Sequence, residues 1–286
     1  MGSFNRQVSM KKFSILSAVI LAGALSSCAA PRQQASDAPL GTPAQIEERV
    51  RQAEAGDIKA QEELCGTAPA SNSLYKPGDE GLRMCEMAAA QGSIYAMLDL
   101  SSRYEMAIGV ETDHAKSYEW LKRATETKPQ AGDVYQAEAY GSMADVHELG
   151  LHGRKPDQRA AFNWHLKAAK LGWSNSYPRL AYMYEAGIGT RQDFGAAAKW
   201  YRMAAENGGC TSAHNLATLY LKGLGVPRDL NKAYFWDAVG TRLEKNNAAC
   251  VPPVAPFPYN SYASDAQLKT VDAEVSTWEA GKTVPK

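Results

Sequence analysis

The sequence predicts an all-α, right-handed superhelical solenoid of antiparallel helix hairpins, closed by a C-terminal capping helix. Three observations predict it: residues that recur at a fixed step, small-residue helical stretches that each end on a glycine, and few β-branched runs. Tyr184 and Tyr220, Gly187 and Gly223, Gly189 and Gly225, Asp193 and Asp229, and Trp200 and Trp236 are each 36 apart. The runs "MAAAQG", "LKAAKLG" and "RMAAENG" close on Gly92, Gly172 and Gly208, at steps of 80 and 36. A helix of ~12 residues, a short turn and a second such helix fill one period of that size. At 286 residues the chain is long enough for one large domain or an array of repeats.

The chain opens with a segment that is not part of the fold. "MKKFSILSAVILAGALSSC", from Met10, has a basic start at Lys11 and Lys12, an apolar run from Phe13 to Leu25 and small residues before a cysteine. The apolar run is short for a membrane span and has the pattern of a signal-peptide core. Met10 fits the start of that pattern, with residues 1–9 upstream of it. Leu25-Ser26-Ser27-Cys28 resembles the bacterial lipoprotein box. The resemblance implies a signal peptide over 1–27 and a Cys28 that carries diacylglycerol on sulfur and an acyl chain, of the palmitate kind, on its amine. Several acyl chains at ~0.8 kcal/mol per buried methylene hold a protein lastingly where one would be marginal. In Gram-negative bacteria Ala29 after the cysteine implies the outer membrane, with the domain facing the periplasm. "AAPRQQASDAPLGTP", from Ala29 to Pro43, carries one large apolar residue, Leu40, so residues 28–43 are expected to be an anchored tether.

The chain holds 31 basic and 31 acidic side chains. The leader contains Arg6, Lys11 and Lys12 and no acid, so its removal leaves the remainder slightly acidic. That balance gives no footing for nucleic-acid binding, which needs a basic face.

Residues 44–245 are expected to form the repeat domain. "AQIEERVRQAEAG" is an amphipathic lead-in helix ended by Gly56, and a degenerate unit spans about 57–92, with Met84 where later units place tryptophan. The units that follow resemble Sel-one-like repeats, relatives of the tetratricopeptide repeat. The fourth unit carries the resemblance at Leu216, Ala217, Tyr220, Gly223, Gly225, Val226, Asp229, Lys232, Ala233 and Trp236. The third matches at Leu180, Ala181, Tyr184, Gly187, Gly189, Asp193, Trp200, Ala204, Ala205 and Gly208, and the first at Tyr104, Gly109, Val110, Asp113, Lys116 and Trp120. The second departs: His147 replaces the tyrosine, and one extra residue lies between Gly150 and Trp164. A phosphate loop is normally one site per domain, whereas Gly187-x-Gly189 returns with its flanking aromatics. These glycines therefore turn a corner at positive φ, Asp193 and Asp229 cap helix starts, and Trp120, Trp164, Trp200 and Trp236 fill gaps between hairpins.

Residues 246–286 complete the chain. "CVPPVAPFPYNSY" is too proline-rich for a helix and should run extended. A helix capped by Ser264 then sets Leu268, Val271, Val275 and Trp278 on one stripe and covers the open apolar end, as repeat arrays require.

Beyond the lipid-bearing Cys28, four cysteines remain, an even number in an exported chain. Antiparallel helices favour the pairs Cys65–Cys85 and Cys210–Cys250 among the three possible connectivities. His147-Glu148-Leu149-Gly150-Leu151-His152 has the wrong spacing for a zinc-protease helix, whose histidines stand four apart, so His147 is read as a stand-in for tyrosine and no metal or cofactor is assigned. Some disulfide-bridged members of the repeat family have been described as binding or hydrolysing β-lactams. Ser73-Leu74-Tyr75-Lys76 satisfies S-x-x-K formally, but it lies in a Pro/Gly/Ser-rich turn and neither S-D-N nor K-T-G follows.

In tetratricopeptide arrays the first helix of each hairpin lines the concave face. Placing the repeat tyrosine at 104, 147, 184 and 220 assigns Ser102, Glu105, Asp145, Glu148, Tyr182, Glu185, His214, Thr218 and Leu221 to a groove. Acids recur in three successive units, so the groove is expected to be acidic with aromatic edges, suited to a basic segment or free amine on a protein or peptide partner. The expectation is a non-catalytic, membrane-anchored scaffold. Its competitor is a protein that binds peptidoglycan or β-lactams, with weak hydrolase activity or cell-wall binding.

Overall fold

The computed structural model describes residues 42–66, 79–128, 134–246 and 265–278. Among them are 12 helices and no strand. A lead-in helix α1 (Pro43–Glu54) precedes five hairpins: α2 (Ile58–Cys65) with α3 (Asp79–Ala90), α4 (Ile94–Met106) with α5 (His114–Glu126), α6 (Tyr135–Leu149) with α7 (Gln158–Lys170), α8 (Ser176–Ala186) with α9 (Phe194–Glu206), and α10 (Cys210–Lys222) with α11 (Leu230–Asn246). The last helix is α12 (Asp265–Thr277). No helix of the described residues is long and apolar enough to cross a membrane.

Local chemistry explains where these helices begin and end. In four successive hairpins an aspartate starts the second helix. The carboxylates of Asp113, Asp157, Asp193 and Asp229 accept from the backbone N–H three residues on, at 2.9–3.0 Å. Each satisfies a donor that the helix leaves orphaned. The N–H of each aspartate donates in turn to the carbonyl of Tyr104, His147, Tyr184 or Tyr220. His147 thus occupies the tyrosine's place in the turn, as its position in the repeat predicts.

Consecutive helices pack antiparallel, and each hairpin rests on the next. First helices of successive hairpins also meet, α2 with α4 and α4 with α6. Small residues make that approach possible. Ala168, Ala197, Ala205, Ala213 and Ala217 are fully buried, with Leu180, Leu216 and Val239 between them. Trp236 is buried in the last hairpin, and Trp200 joins two neighbouring core clusters. Trp164 stands over Tyr140 of its own hairpin at 5.5 Å, with the Lys167 ammonium 3.8 Å from its ring, and it packs on the core cluster shared with the preceding units.

Val271 and Val275 of α12, and Trp278 just past its end, are buried in one cluster with Phe235, Trp236 and Val239, and Leu268 is partly covered. The Tyr234 hydroxyl donates to Asp272 at 2.7 Å, and the Arg242 guanidinium donates to the Val275 carbonyl. The helix covers the apolar end of the last hairpin, as its stripe predicts. Cys65 and Cys85 form a disulfide between the two helices of the degenerate unit. Cys210 is disulfide-bonded, while Cys250, its expected partner, lies outside the described residues. So do Cys28, the Ser73–Lys76 turn, the proline-rich stretch and Ser264.

Candidate interaction groove

The turn between the two helices of a unit sets the spacing of the inner face. Gly187 and Gly223 end the first helices of units three and four in the left-handed region, at φ 69° and 68°. Gly189 and Gly225 are also left-handed, and they do more. A Cβ on Gly189 would stand 2.1 Å from the Gln158 carbonyl oxygen, and one on Gly225 would stand 2.2 Å from the Phe194 carbonyl carbon. Gln158 and Phe194 are the first residues of α7 and α9, the second helices of the preceding units. The second glycine of each turn therefore makes the joint between repeats, a role beyond reversing the chain.

On the face of the first helices, the expected residues fall into three groups. Asp145 and Tyr182 are open to solvent, Tyr182 at 47%. Ser102, Thr218 and Leu221 are half-buried, and the hydroxyls of Ser102 and Thr218 donate to the carbonyls of Leu98 and His214. The three glutamates are each engaged. Glu105 faces His114 and His152; Glu148 accepts from His165 at 3.0 Å and lies 3.4 Å from the Arg179 guanidinium; Glu185 accepts from the Tyr201 hydroxyl at 2.5 Å. The recurring acids are there, but the wall they form is met by histidine, arginine and tyrosine and is not a row of bare charges.

His214 takes a different place from the rest. It is buried inside the last hairpin, with Nδ1 2.6 Å from Asp237 and Nε2 2.8 Å from Glu244. Gly240 makes the room: a Cβ there would come within 2.6 Å of the imidazole. Burial disfavours charge on His214, yet the hydrogen bonds to Asp237 and Glu244 and their charges outweigh it and raise its pKa above the ordinary histidine value.

The electrostatics of units two to four follow the same contacts. Burial works against ionised Glu148, but the His165 hydrogen bond and the Arg179 charge hold its carboxyl below the usual range. Asp145 is pushed up, chiefly by desolvation, although its side chain reaches solvent. Neighbouring groups crowd this carboxyl without covering it. Tyr201 is raised by burial and by the Glu185 charge beside it. Arg179 belongs to α8 and Glu148 to α6, so the track crosses from one repeat to the next.

Sequence reasoning missed His165, Arg179 and Tyr201. A signal existed: His165 and Tyr201 each follow the repeat tryptophan, Trp164 and Trp200, and Arg179 precedes Tyr182 by three residues on one helical face. The His147/His152 pair does not come together, since His152 turns to Glu105 and His114.

Residues 94–126, 137–173, 179–209 and 211–236 match the family model described as Sel1 repeat. A search of curated protein sequences finds no match. Among solved structures, a protective antigen of uropathogenic Escherichia coli strains displaying an SLR fold is 26% identical, with a TM-score of 0.59 over 72% of this chain. A Sel1 repeat protein from Oxalobacter formigenes is 27% identical, with a TM-score of 0.56 over 72% of this chain. The match spans 42% and 57% of those two proteins' own lengths. Four consecutive hairpins with one capping aspartate each, and a family model that matches all four, make residues 94–236 an array of Sel1 repeats.

Proposed function

We propose that the chain is a non-catalytic scaffold that binds a protein or peptide along the face of its first helices. Sel1-repeat proteins are typically protein-interaction scaffolds. The observation that carries the reading for this chain is the track from Asp145 through Glu148, Arg179 and Tyr182 to Glu185, which runs across α6 and α8. Glu148, Arg179 and Glu185 are held in place by their neighbours, while Tyr182 and Asp145 remain accessible. A rigid track with an exposed aromatic suits recognition, because little side-chain freedom is lost on binding. Mixed charge favours a partner segment that carries both a basic group for Asp145 and an apolar group for Tyr182.

The anchor belongs to the same proposal. The Leu25–Cys28 box supports a lipid on Cys28 and an outer-membrane protein whose domain faces the periplasm. Cys28→Ala is expected to abolish lipid labelling and release the chain from the membrane fraction. Retention of an unlabelled wild type at the membrane would count against the lipid.

The binding face is tested by capture from cross-linked envelopes with the full chain and with an Asp145→Lys/Tyr182→Ala double variant. Both side chains are exposed, so the fold should be kept and capture of defined proteins lost. Undiminished capture would remove this face from the reading. The same preparation incubated with a β-lactam and with cell-wall fragments distinguishes the alternative: turnover or saturable binding there would favour it.

A further inference from the structure

The turn of the second unit, residues 150–157, is one residue longer than its counterparts and folds tightly on itself. A Cβ on Gly150 would stand 2.7 Å from the Pro156 ring and 2.8 Å from the Arg154 carbonyl oxygen. Within it His152 is left-handed at φ 55°, followed by Gly153 at 70°. Left-handed backbone is strained for a histidine by about 1–2 kcal/mol. The strained residue is also buried: its side chain is 6% exposed.

That conformation delivers His152 to the first unit. Its Nδ1 lies 2.7 Å from Glu105 Oε2, off the line a hydrogen bond needs, so the buried nitrogen has no aligned partner. His114 Nδ1 lies 3.0 Å from the same Glu105 oxygen. One ligand atom from each of the three residues falls within 4.8 Å of the other two. Glu105 ends α4, His114 opens α5, and His152 comes from the next repeat, so three separate segments converge.

We infer that Glu105, His114 and His152 form a binding site for a divalent transition cation of the zinc class. A tetrahedral zinc ion with bonds of ~2.0–2.1 Å brings its ligand atoms about 3.3 Å apart. The carboxylate–imidazole distances here, 2.7 and 3.0 Å, are somewhat shorter than that, so the carboxylate would have to step back from both rings to admit the ion. Two imidazoles and one carboxylate suit zinc, and they leave a fourth position for water. The Arg154 guanidinium, stacked 3.5 Å over the Tyr118 ring beside His152, opposes a cation and weakens the site without blocking it.

Two other clusters do not have this character. In the cluster of Asp145, Glu148 and His165, Glu148 is already paired with the Arg179 guanidinium and with His165, and Cys65 and Cys85 beside Asp99 are joined to each other.

The test uses the full chain, purified in mild detergent and stripped by chelator, titrated with Co(II) and followed by its visible absorption, then competed with Zn(II). One ion per chain should bind with a tetrahedral spectrum, and Zn(II) should displace it. His114→Gln and Glu105→Gln should each weaken binding by about tenfold or more, and so should His152→Asn, which keeps a residue that tolerates left-handed backbone. Arg154→Gln should tighten binding, an effect that a purely structural role for the cluster does not produce. His114 is more than half exposed, so its variant should melt like wild type without metal and its loss of binding is attributable to the ligand. No saturable binding to the wild type, or binding unchanged in a His114→Gln/His152→Asn double variant, would overturn the inference.

Discussion

The joints between repeats are made in two ways. From the second unit to the third, and from the third to the fourth, a left-handed glycine, Gly189 or Gly225, lies against the first residue of the preceding unit's second helix. From the first unit to the second, His152 reaches that place and meets His114, the first residue of α5, together with Glu105. A glycine joint is backbone on backbone and admits no other side chain. A histidine joint is made by side chains and has chemistry of its own. Where the repeat pattern is kept, the contact serves spacing alone; where an extra residue breaks it, the same place gathers groups that can hold a ligand.

The largest effect is expected from breaking a glycine joint. In Gly225→Ala, left-handed strain of ~1–2 kcal/mol adds to overpacking of about 1–3 kcal/mol. The new Cβ meets backbone at Phe194 and Gly195, which cannot turn aside. Urea unfolding should show this as a lowered midpoint. Gly187→Ala separates strain from packing, since its Cβ would find ordinary contacts at 3.4 Å from Gln192. It should cost only the strain, ~1–2 kcal/mol. In the first unit that position is already non-glycine: Ala107 caps α4 at φ 58°. Ala107→Gly should therefore stabilise, by about 0.5–1 kcal/mol once the entropy of glycine is set against the relieved strain, read as a small rise in the same midpoint.

The smallest effect concerns pH and the buried His214. Its folded pKa is raised, so protonation stabilises the fold. That contribution is fully present below the ordinary histidine value of about 6.5 and is lost as pH rises above it through the raised folded value. Thermal unfolding should weaken over that range in the wild type and less so in His214→Gln. An equal slope in both would separate His214 from the effect.

The capping aspartates, the paired glycines, the Cys65–Cys85 bridge and the covering helix α12 were legible in the sequence. Each depends on local geometry or on a spacing that returns at the repeat period. The engagement of the glutamates was not legible in the same way. Glu105, Glu148 and Glu185 follow the tyrosine position of their units, yet each finds a different partner: an imidazole pair, an imidazole with a guanidinium, and a phenol. Partner identity depends on which side chain the neighbouring helix brings, and that is tertiary information. His214 shows the same limit, because its burial rests on Asp237, Glu244 and the space left at Gly240 on the facing helix. The His152 joint was hidden for a further reason: its three residues share no repeat position.

The functional proposal assigns partner binding to the face of the first helices. Tyr182 on α8 and Met203 on α9 are both exposed and belong to the two helices of one hairpin. A photo-reactive phenylalanine analogue placed at 182 or at 203 of the full chain, in intact cells, compares the two faces under identical conditions. A discrete protein adduct from position 182 and none from 203 is the expected result. Adducts from 203 alone, or equally from both positions, would contradict a binding face on the first helices.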